Sequence, residues 1–316
     1  MLKPILVVGS INLDLVARVE RIPVPGETLT GLGFETFFGG KGANQAVAIA
    51  RLGFPVQMIG RVGDDAFGPR LRAGLKQAGV DVRALATVRD TSSGVALIAT
   101  ENGGQNSIIV VPGSNGQLAP ADLEQYAPRL RRAGMILAQL EIPLPTVLKL
   151  AEMAEAFHVP LMLDPAPARV LPARLLRRVT WLTPNESEAS TLCATTDQRP
   201  TPATAAVYAR LLLARGARHV ALKLGAHGAY LANDQGGVFV PACRVKAVDS
   251  TAAGDAFNAG LAVALMEGAS MEEAGRFATA VAGLSTTRYG AQPSMPQRSA
   301  VDALVPLTFG APRKRR

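Results

Sequence analysis

Short, uninterrupted apolar runs that stop abruptly at a glycine or a polar residue constrain this chain more than any other feature. The first covers residues 3–8 and closes at Gly9. A run without polar alternation fits a strand covered on both faces, as in a parallel sheet with helices on either side. Strand 56–62 and helix 67–77 continue the pattern. From about residue 120 it becomes regular, predicting helix 120–132, strand 135–139, helix 145–157, strand 160–164, strand 179–183, helix 186–193, helix 202–215 and strand 218–224. Short β segments over 228–248 and helices 256–267 and 271–286 complete it. The expected class is α/β, a three-layer sandwich around a central, mostly parallel sheet. With 316 residues, 48% of them apolar, the chain can fill one large domain, 1–316.

Two stretches interrupt the alternation. Residues 15–38 are short alternating segments broken by Pro23, Pro25, Gly26, Gly31 and Gly33, which reads as an antiparallel flap. Residues 94–99 and 107–111 flank Asn102-Gly103, a strong hairpin signal. Together, 13–38 and 93–112 predict a discontinuous, four-stranded β lid able to close over a substrate and exclude water.

Composition narrows the function classes. No apolar run reaches the roughly 20 residues of a membrane span, and the start of the chain has no cleavage-site pattern, so a cytoplasmic protein without a membrane partner is expected. Cys193 and Cys243 form no CxxC pair and sit near no histidine cluster, so they read as reduced core thiols. The formal charge is +8, but the basic residues are scattered apart from Arg313-Lys-Arg-Arg316. Residues 311–316 are expected to be a disordered basic tail. A positive surface would favour an anionic small molecule such as ATP, and a nucleic-acid partner is not expected.

The polar residues gather where strands end, which is where open α/β sheets bind ligands. Asn12 and Asp14 follow the first strand, Glu141 follows 135–139, Asp164 closes 160–164, and Asn185 and Glu188 follow 179–183. Taken singly, each is more often a cap or turn former; as a set they outline a crevice. Gly39-Gly-Lys-Gly-Ala-Asn-Gln45 opens a helix without Walker A spacing. Its glycines allow close approach to a ligand, and Lys41 and Asn44 supply donors suited to sugar hydroxyls. Lys223-Leu-Gly-Ala-His-Gly228 has a GxxG loop that fits beneath phosphates or ribose. Asp249-Ser-Thr-Ala-Ala-Gly-Asp255 precedes a strongly apolar helix. The bare N–H groups of that helix start, with Asp255 beside them, read as an anion site with a base and point to phosphoryl transfer. Asp255 reads equally well as an ordinary N-cap. The loop 288–294 is rich in carbonyls suited to a hard cation.

Over nearly its whole length the sequence resembles the ribokinase branch of the PfkB carbohydrate kinase family. Asn12-Leu-Asp14, Pro25-Gly-Glu-Thr28, Gly39 to Gln45, Gly60-Arg-Val-Gly-Asp-Asp-Ala-Phe-Gly68, Pro165-Ala-Pro167, Thr183-Pro-Asn-Glu-Ser-Glu188, Asp249 to Asp255 and Gly290-Ala-Gln-Pro-Ser294 match that family's motifs in order. The resemblance implies ATP-dependent phosphorylation of the 5-hydroxyl of D-ribose, giving D-ribose 5-phosphate and ADP. By the same resemblance Asn12, Asp14, Gly40, Lys41, Asn44 and Glu141 hold the sugar and Asp255 takes the hydroxyl proton. The backbone N–H groups of Ala252, Ala253 and Gly254 form the anion hole. Asn185, Lys223, Gly225, Gly228, Gly254 and Thr279 lie along the nucleotide, and Glu188 places Mg²⁺ through water. A K⁺ site maps onto Asp249, Thr251, Ser285, Arg288, Gly290 and Ser294, and a homodimer through the β lid is implied.

Three positions depart from the pattern. Lys223 stands where ribokinases more often have Thr, Asp164 where Asn is usual, and Thr279 where a larger polar side chain often borders adenine. A kinase for deoxyribose, fructose or a 2-keto-3-deoxy sugar acid is therefore the nearest alternative. A non-catalytic sugar or nucleotide sensor is the alternative from another class. A dehydrogenase is excluded by the missing Gly-x-Gly-x-x-Gly after the first strand.

Overall fold

The computed structural model describes residues 2–101, 106–195 and 198–310. The Asn102-Gly103 turn and the 311–316 tail lie outside the described residues.

The strands in chain order are β1 (Ile5–Val8), β2 (Asn12–Val19), β3 (Gly33–Gly39), β4 (Val56–Gly63), β5 (Asp81–Val88), β6 (Gly94–Glu101), β7 (Asn106–Val111), β8 (Met135–Ala138), β9 (Leu161–Leu163), β10 (Trp181–Leu182), β11 (His219–Lys223), β12 (Gly228–Asn233) and β13 (Gly236–Pro241). Nine form the main sheet in the order β13-β12-β11-β10-β9-β8-β1-β4-β5. From β11 through β5 every pairing is parallel, while β12 and β13 add an antiparallel edge. The sheet divides two apolar cores. In β1, Ile5 and Val7 enter one core while Leu6 and Val8 enter the other, so the absence of polar alternation reflects burial on both faces.

Helices Lys41–Arg51, Ala253–Met266 and Met271–Ser285 pack on one face, with Leu144–Ala156 and Ala205–Ala214 on the other. Because β1, β8, β9, β10 and β11 are parallel, the segments that leave their carboxyl ends emerge at one edge. Gly9, Gln139, Asp164, Thr183 and the glycine loop after Lys223 meet there.

β2, β3, β6 and β7 form a separate four-stranded sheet in the order β3-β2-β6-β7. The stretch 15–38 is antiparallel as expected, β2 pairing with β3; β2 also runs parallel to β6, so the two inserted segments are stitched side by side. β3 and β7 are antiparallel to their neighbours.

Several boundaries differ from the expected ones for local reasons. Helix 120–132 divides into a 3₁₀ segment, Pro120–Tyr126, and a helix, Ala127–Arg132. Pro128 lacks an N–H and cannot continue the first segment. Helix 202–215 begins only at Ala205, because the Thr204 hydroxyl accepts from Thr201 N at 2.9 Å and holds a turn. β5 and the terminal helix Arg298–Phe309 have no counterpart in the sequence reading. β5 is an edge strand of half-buried character, with neither clean alternation nor a continuous apolar run.

The helix Lys41–Arg51 is driven hard against the end of β1. A Cβ on Gly42 would lie 2.7 Å from the Gly9 carbonyl carbon and 2.8 Å from Ser10 N. Gly42→Ala should therefore cost about 2 kcal/mol by overpacking. Urea denaturation should show a lower midpoint with unchanged slope.

Candidate active site

The sugar-side residues converge on the helix that begins at Lys41. Gly40 enters it with φ 87°, a conformation open to glycine, and a Cβ there would press on the Asn12 amide. Ser10 Oγ donates to Glu141 Oε2 at 2.5 Å, and Lys41 N donates to the same oxygen at 3.1 Å. Glu141 thus places negative charge at the helix start, where the dipole favours it. Asn12 is fixed by Asn115, whose Nδ2 donates to Asn12 Oδ1 at 2.8 Å while its amide clasps the Ile11 backbone N–H and carbonyl.

Asp255 stands at the third residue of helix Ala253–Met266. It is not the cap: Ala252 occupies that position in left-handed geometry at φ 59°. The Asp255 carboxylate turns instead across the site. Its Oδ2 accepts from Asn44 Nδ2 at 3.0 Å and its Oδ1 from Gln45 Nε2 at 3.1 Å. The ordinary capping role is thereby removed, and a buried carboxylate aimed at the crevice remains. Of the three expected anion-hole donors, Ala253 N–H reaches the Ser250 carbonyl at 3.2 Å. Asn44 also differs from expectation, since its NH₂ serves Asp255 and its buried Oδ1 is left to accept a ligand hydroxyl.

Burial pushes the Asp255 carboxyl up; Lys41 opposes that, Asp164 adds to it, and the Asn44 and Gln45 hydrogen bonds oppose it, leaving it at about 6. Asp14 is raised to about 7, by burial first and then by Glu141 and Asp255. Burial alone would lower the Lys41 ammonium, but Asp255, Asp164, Glu141 and Glu188 outweigh it and hold it above its ordinary value.

On the other side, Asn185 and Glu188 form a capping box on helix Glu186–Cys193. Asn185 Oδ1 accepts from Glu188 N at 2.9 Å, and Glu188 Oε2 accepts from Asn185 N at 2.8 Å. Glu188 Oε1 accepts from Asn185 Nδ2 at 2.9 Å. Burial raises Glu188 despite Lys223. Among the described residues no cluster of three His, Cys, Asp or Glu side chains could cage a metal ion. One carboxylate whose oxygens already accept hydrogen bonds fits a Mg²⁺ that arrives on nucleotide phosphates and keeps its waters.

Two of the three departures meet. Lys223 Nζ donates to Asp164 Oδ1 at 3.0 Å, and Asp164 Oδ2 accepts from Gln45 Nε2 at 3.2 Å. Gly225 lines the crevice; Gly228 and Thr279 do not. Gly228 starts β12 beside the Val240 carbonyl, and the Thr279 hydroxyl is buried on Met271–Ser285 without a partner.

Asp249 organises the expected K⁺ region. Its Oδ1 accepts from Thr251 N at 2.8 Å and from Thr251 Oγ1 at 2.6 Å, and its Oδ2 accepts from Gly290 N at 2.8 Å. Val248 N and Asp249 N both donate to the Thr286 carbonyl, bringing the residue after Ser285 alongside. Ser294 Oγ donates to Ala291 O at 2.7 Å.

The crevice encloses about 490 Å³ and gathers Asn12, Asp14, Lys41, Glu141, Lys223 and Asp255, with Ile98, Ile108 and Val110 of the small sheet over it. A larger cavity, about 750 Å³, lies between the helices Ala253–Met266, Met271–Ser285 and Arg298–Phe309 and contains none of these groups. The crevice holds six carboxylates against two lysines, the reverse of the positive surface inferred from net charge.

Ser10, Gln45, Asn115 and Gln139 escaped the sequence reading. Gln139 Nε2 donates to Gln45 Oε1 at 2.7 Å, and both side chains are buried. Gln45 lies within a quoted motif, but its partners are more than 90 residues away.

The family model for pfkB family carbohydrate kinases matches residues 3–298. The chain belongs to this family. A Bacillus subtilis protein described as a ribokinase is 40% identical to this pfkB-family chain, over 96% of the chain and 100% of the relative. A Salmonella typhi deoxyribokinase is 36% identical over 92% and 95%. The solved structure of Arabidopsis thaliana ribokinase complexed with ribose and ATP is 36% identical, has a TM-score of 0.90, and matches 96% of this chain and 99% of its own. No helix among the described residues is long and apolar enough to cross a membrane.

Asp14 allows a test of these electrostatics. A carboxyl raised to about 7 binds more protons folded than unfolded, so its contribution to stability falls as pH rises from about 4 to about 7. Asp14→Asn should raise the melting temperature at pH 8 by a few degrees, with a smaller gain at pH 5. Calorimetric melts at the two pH values would check it.

Proposed function

We propose that this chain is an ATP-dependent ribose kinase forming ribose 5-phosphate and ADP. The observation that carries this is Asp255, a buried carboxylate held by Asn44 and Gln45 at the start of a helix and facing sugar-suited groups. The identity to ribokinases over the whole chain and the fold shared with a ribose and ATP complex support the choice of substrates.

In this reading Asn12, Asp14, Gly40, Lys41, Asn44 and Glu141 bind the sugar, with Asn44 Oδ1 accepting from a hydroxyl. Asp255 orients the attacking hydroxyl and takes its proton. The backbone of 252–255, with the helix dipole behind it, receives the transferring phosphoryl. A carboxylate at about 6 suffices, because phosphoryl transfer depends mainly on positioning and charge stabilisation. Asn185, Gly225 and Gly254 face the nucleotide, and Glu188 would hold Mg²⁺ through water, where the ion would neutralise phosphate oxygens. The clasp made by Asp249 fits a K⁺ beside the hole, with carbonyls from 251, 285, 288 and 290 and Ser294 nearby. Potassium would then brace the loop that carries the N–H groups.

The chain forms one domain whose small sheet acts as a lid. The exposed apolar side chains Phe34, Leu97, Ile109 and Val111, on the face of that sheet turned from the crevice, support a homodimer joined through it. The site of action is the cytoplasm, where both substrates are at hand. Deoxyribose is the competing acceptor because a deoxyribokinase is nearly as similar as the ribokinases.

A coupled assay of ADP release across a sugar panel tests the assignment. Ribose should give the highest kcat/KM, and faster turnover of deoxyribose or a sugar acid would transfer the assignment to that sugar. Asp255→Asn should lower kcat by ~10²–10⁴-fold with ribose affinity nearly unchanged; activity within a few-fold of wild type would remove Asp255 as the base. The kcat/KM profile should fall on the acid side with an apparent pKa near 6, because the base must be ionised. Potassium should accelerate turnover more than sodium does, and indifference to both would remove the Asp249 clasp as a cation site.

A further inference from the structure

The buried pair Asp164–Lys223 joins the two halves of the site. Asp164 is 3% exposed and the Lys223 side chain 12% exposed, with 3.0 Å between charged atoms. β11 delivers Lys223 beside the Thr183–Glu188 turn, where its N–H donates to the Pro184 carbonyl at 2.8 Å. The ammonium ends at the helix start: Nζ is 3.4 Å from where a Cβ on Gly254 would lie. Behind it, Gln45 Nε2 bridges Asp164 and Asp255, so the lysine, its carboxylate and the base form one hydrogen-bonded line.

We propose that Lys223 is a catalytic cation for the transferring phosphoryl group and that Asp164 is the residue that positions it. The proposal rests on the kinase reading and adds a residue that the ribokinase pattern does not supply, since Thr is more usual at this position. An ammonium has three donors, and Asp164 takes one. Nζ itself lies beside Gly254, where negative charge moves during the reaction. The oxygen of the sugar hydroxyl bonds to the γ-phosphorus and its proton passes to Asp255. The bond from that phosphorus to the bridging oxygen breaks, and ADP leaves with the electron pair. Lys223 transfers no proton; it offsets charge on the phosphoryl oxygens as they cross the helix start. A buried ion pair is seldom retained for stability alone, because desolvation offsets most of the attraction. This pair has a second electrostatic task at hand.

Removing Lys223 alone would strand the Asp164 charge, so the decisive variant removes both charges. Asp164→Asn with Lys223→Met should melt close to wild type and keep the KM for ribose within about threefold. Its kcat should fall roughly 10²-fold, the scale of losing one preorganised stabilising group. If the double variant keeps kcat within threefold, Lys223 merely neutralises Asp164 and the proposal fails. Should that variant not fold, Asp164→Asn with Lys223→Ala is read by the same criteria. Wild-type protein serves as the internal control. Absence of ATP-dependent sugar phosphorylation in wild type would overturn the kinase reading itself, whereas an active wild type with an equally active double variant overturns only the role of Lys223.

Discussion

A carboxylate with almost no access to water must be held by its surroundings, and most of this site is arranged around that requirement at Asp255. Asn44 and Gln45 each give one N–H, and the Lys41 ammonium offsets the cost of burial. All three come from the first turn and a half of one helix. That helix can approach only because Gly42 lets it rest on the backbone of Gly9 and Ser10. The steric tolerance at the end of β1 and the ionisation of a buried carboxylate more than 200 residues later are therefore one problem with one solution.

Charge is unevenly distributed. The chain carries a surplus of eight positive charges, but its crevice is strongly acidic. Burial first, and neighbouring carboxylates second, shift Asp14 and Glu188 toward their neutral forms, while the carboxylates make Lys41 hold its proton more firmly. A polyanionic nucleotide enters such a crevice favourably only with cations, whether Lys41 and Lys223 or ions that arrive with it.

The parallel sheet was legible because a strand buried on both faces has to be apolar at every position, as Ile5 to Val8 are. The crevice was legible because parallel strands put their carboxyl ends on one edge, so Asn12, Glu141, Asp164 and Asn185 could be grouped without coordinates. Edge strand β5 was not, since partial exposure removes the pattern that marks a strand. The setting of Asp255 was half legible: its position at the start of an apolar helix suits a cap, and only the direction of its side chain, toward Asn44 and Gln45, removes that reading. The amide chain from Gln139 through Gln45 was illegible for a related reason. Glutamines carry no spacing signature, and their significance comes from partners brought together by the fold. Asp164 and Lys223 each looked like a departure, and their pairing appears only in space.

Only Gly9, Ser10 and Ile11 separate β1 in the main sheet from β2 in the small one. Asn12 and Asp14 therefore ride on the covering sheet, while Lys41, Asn44 and Asp255 ride on helices packed against the main sheet. An acceptor touching both sets would bracket the two sheets, which are linked here by a three-residue strap. Any tilt of one sheet against the other would change the spacing of these two sets of side chains, so in such a geometry holding an acceptor and covering the crevice would be a single mechanical variable.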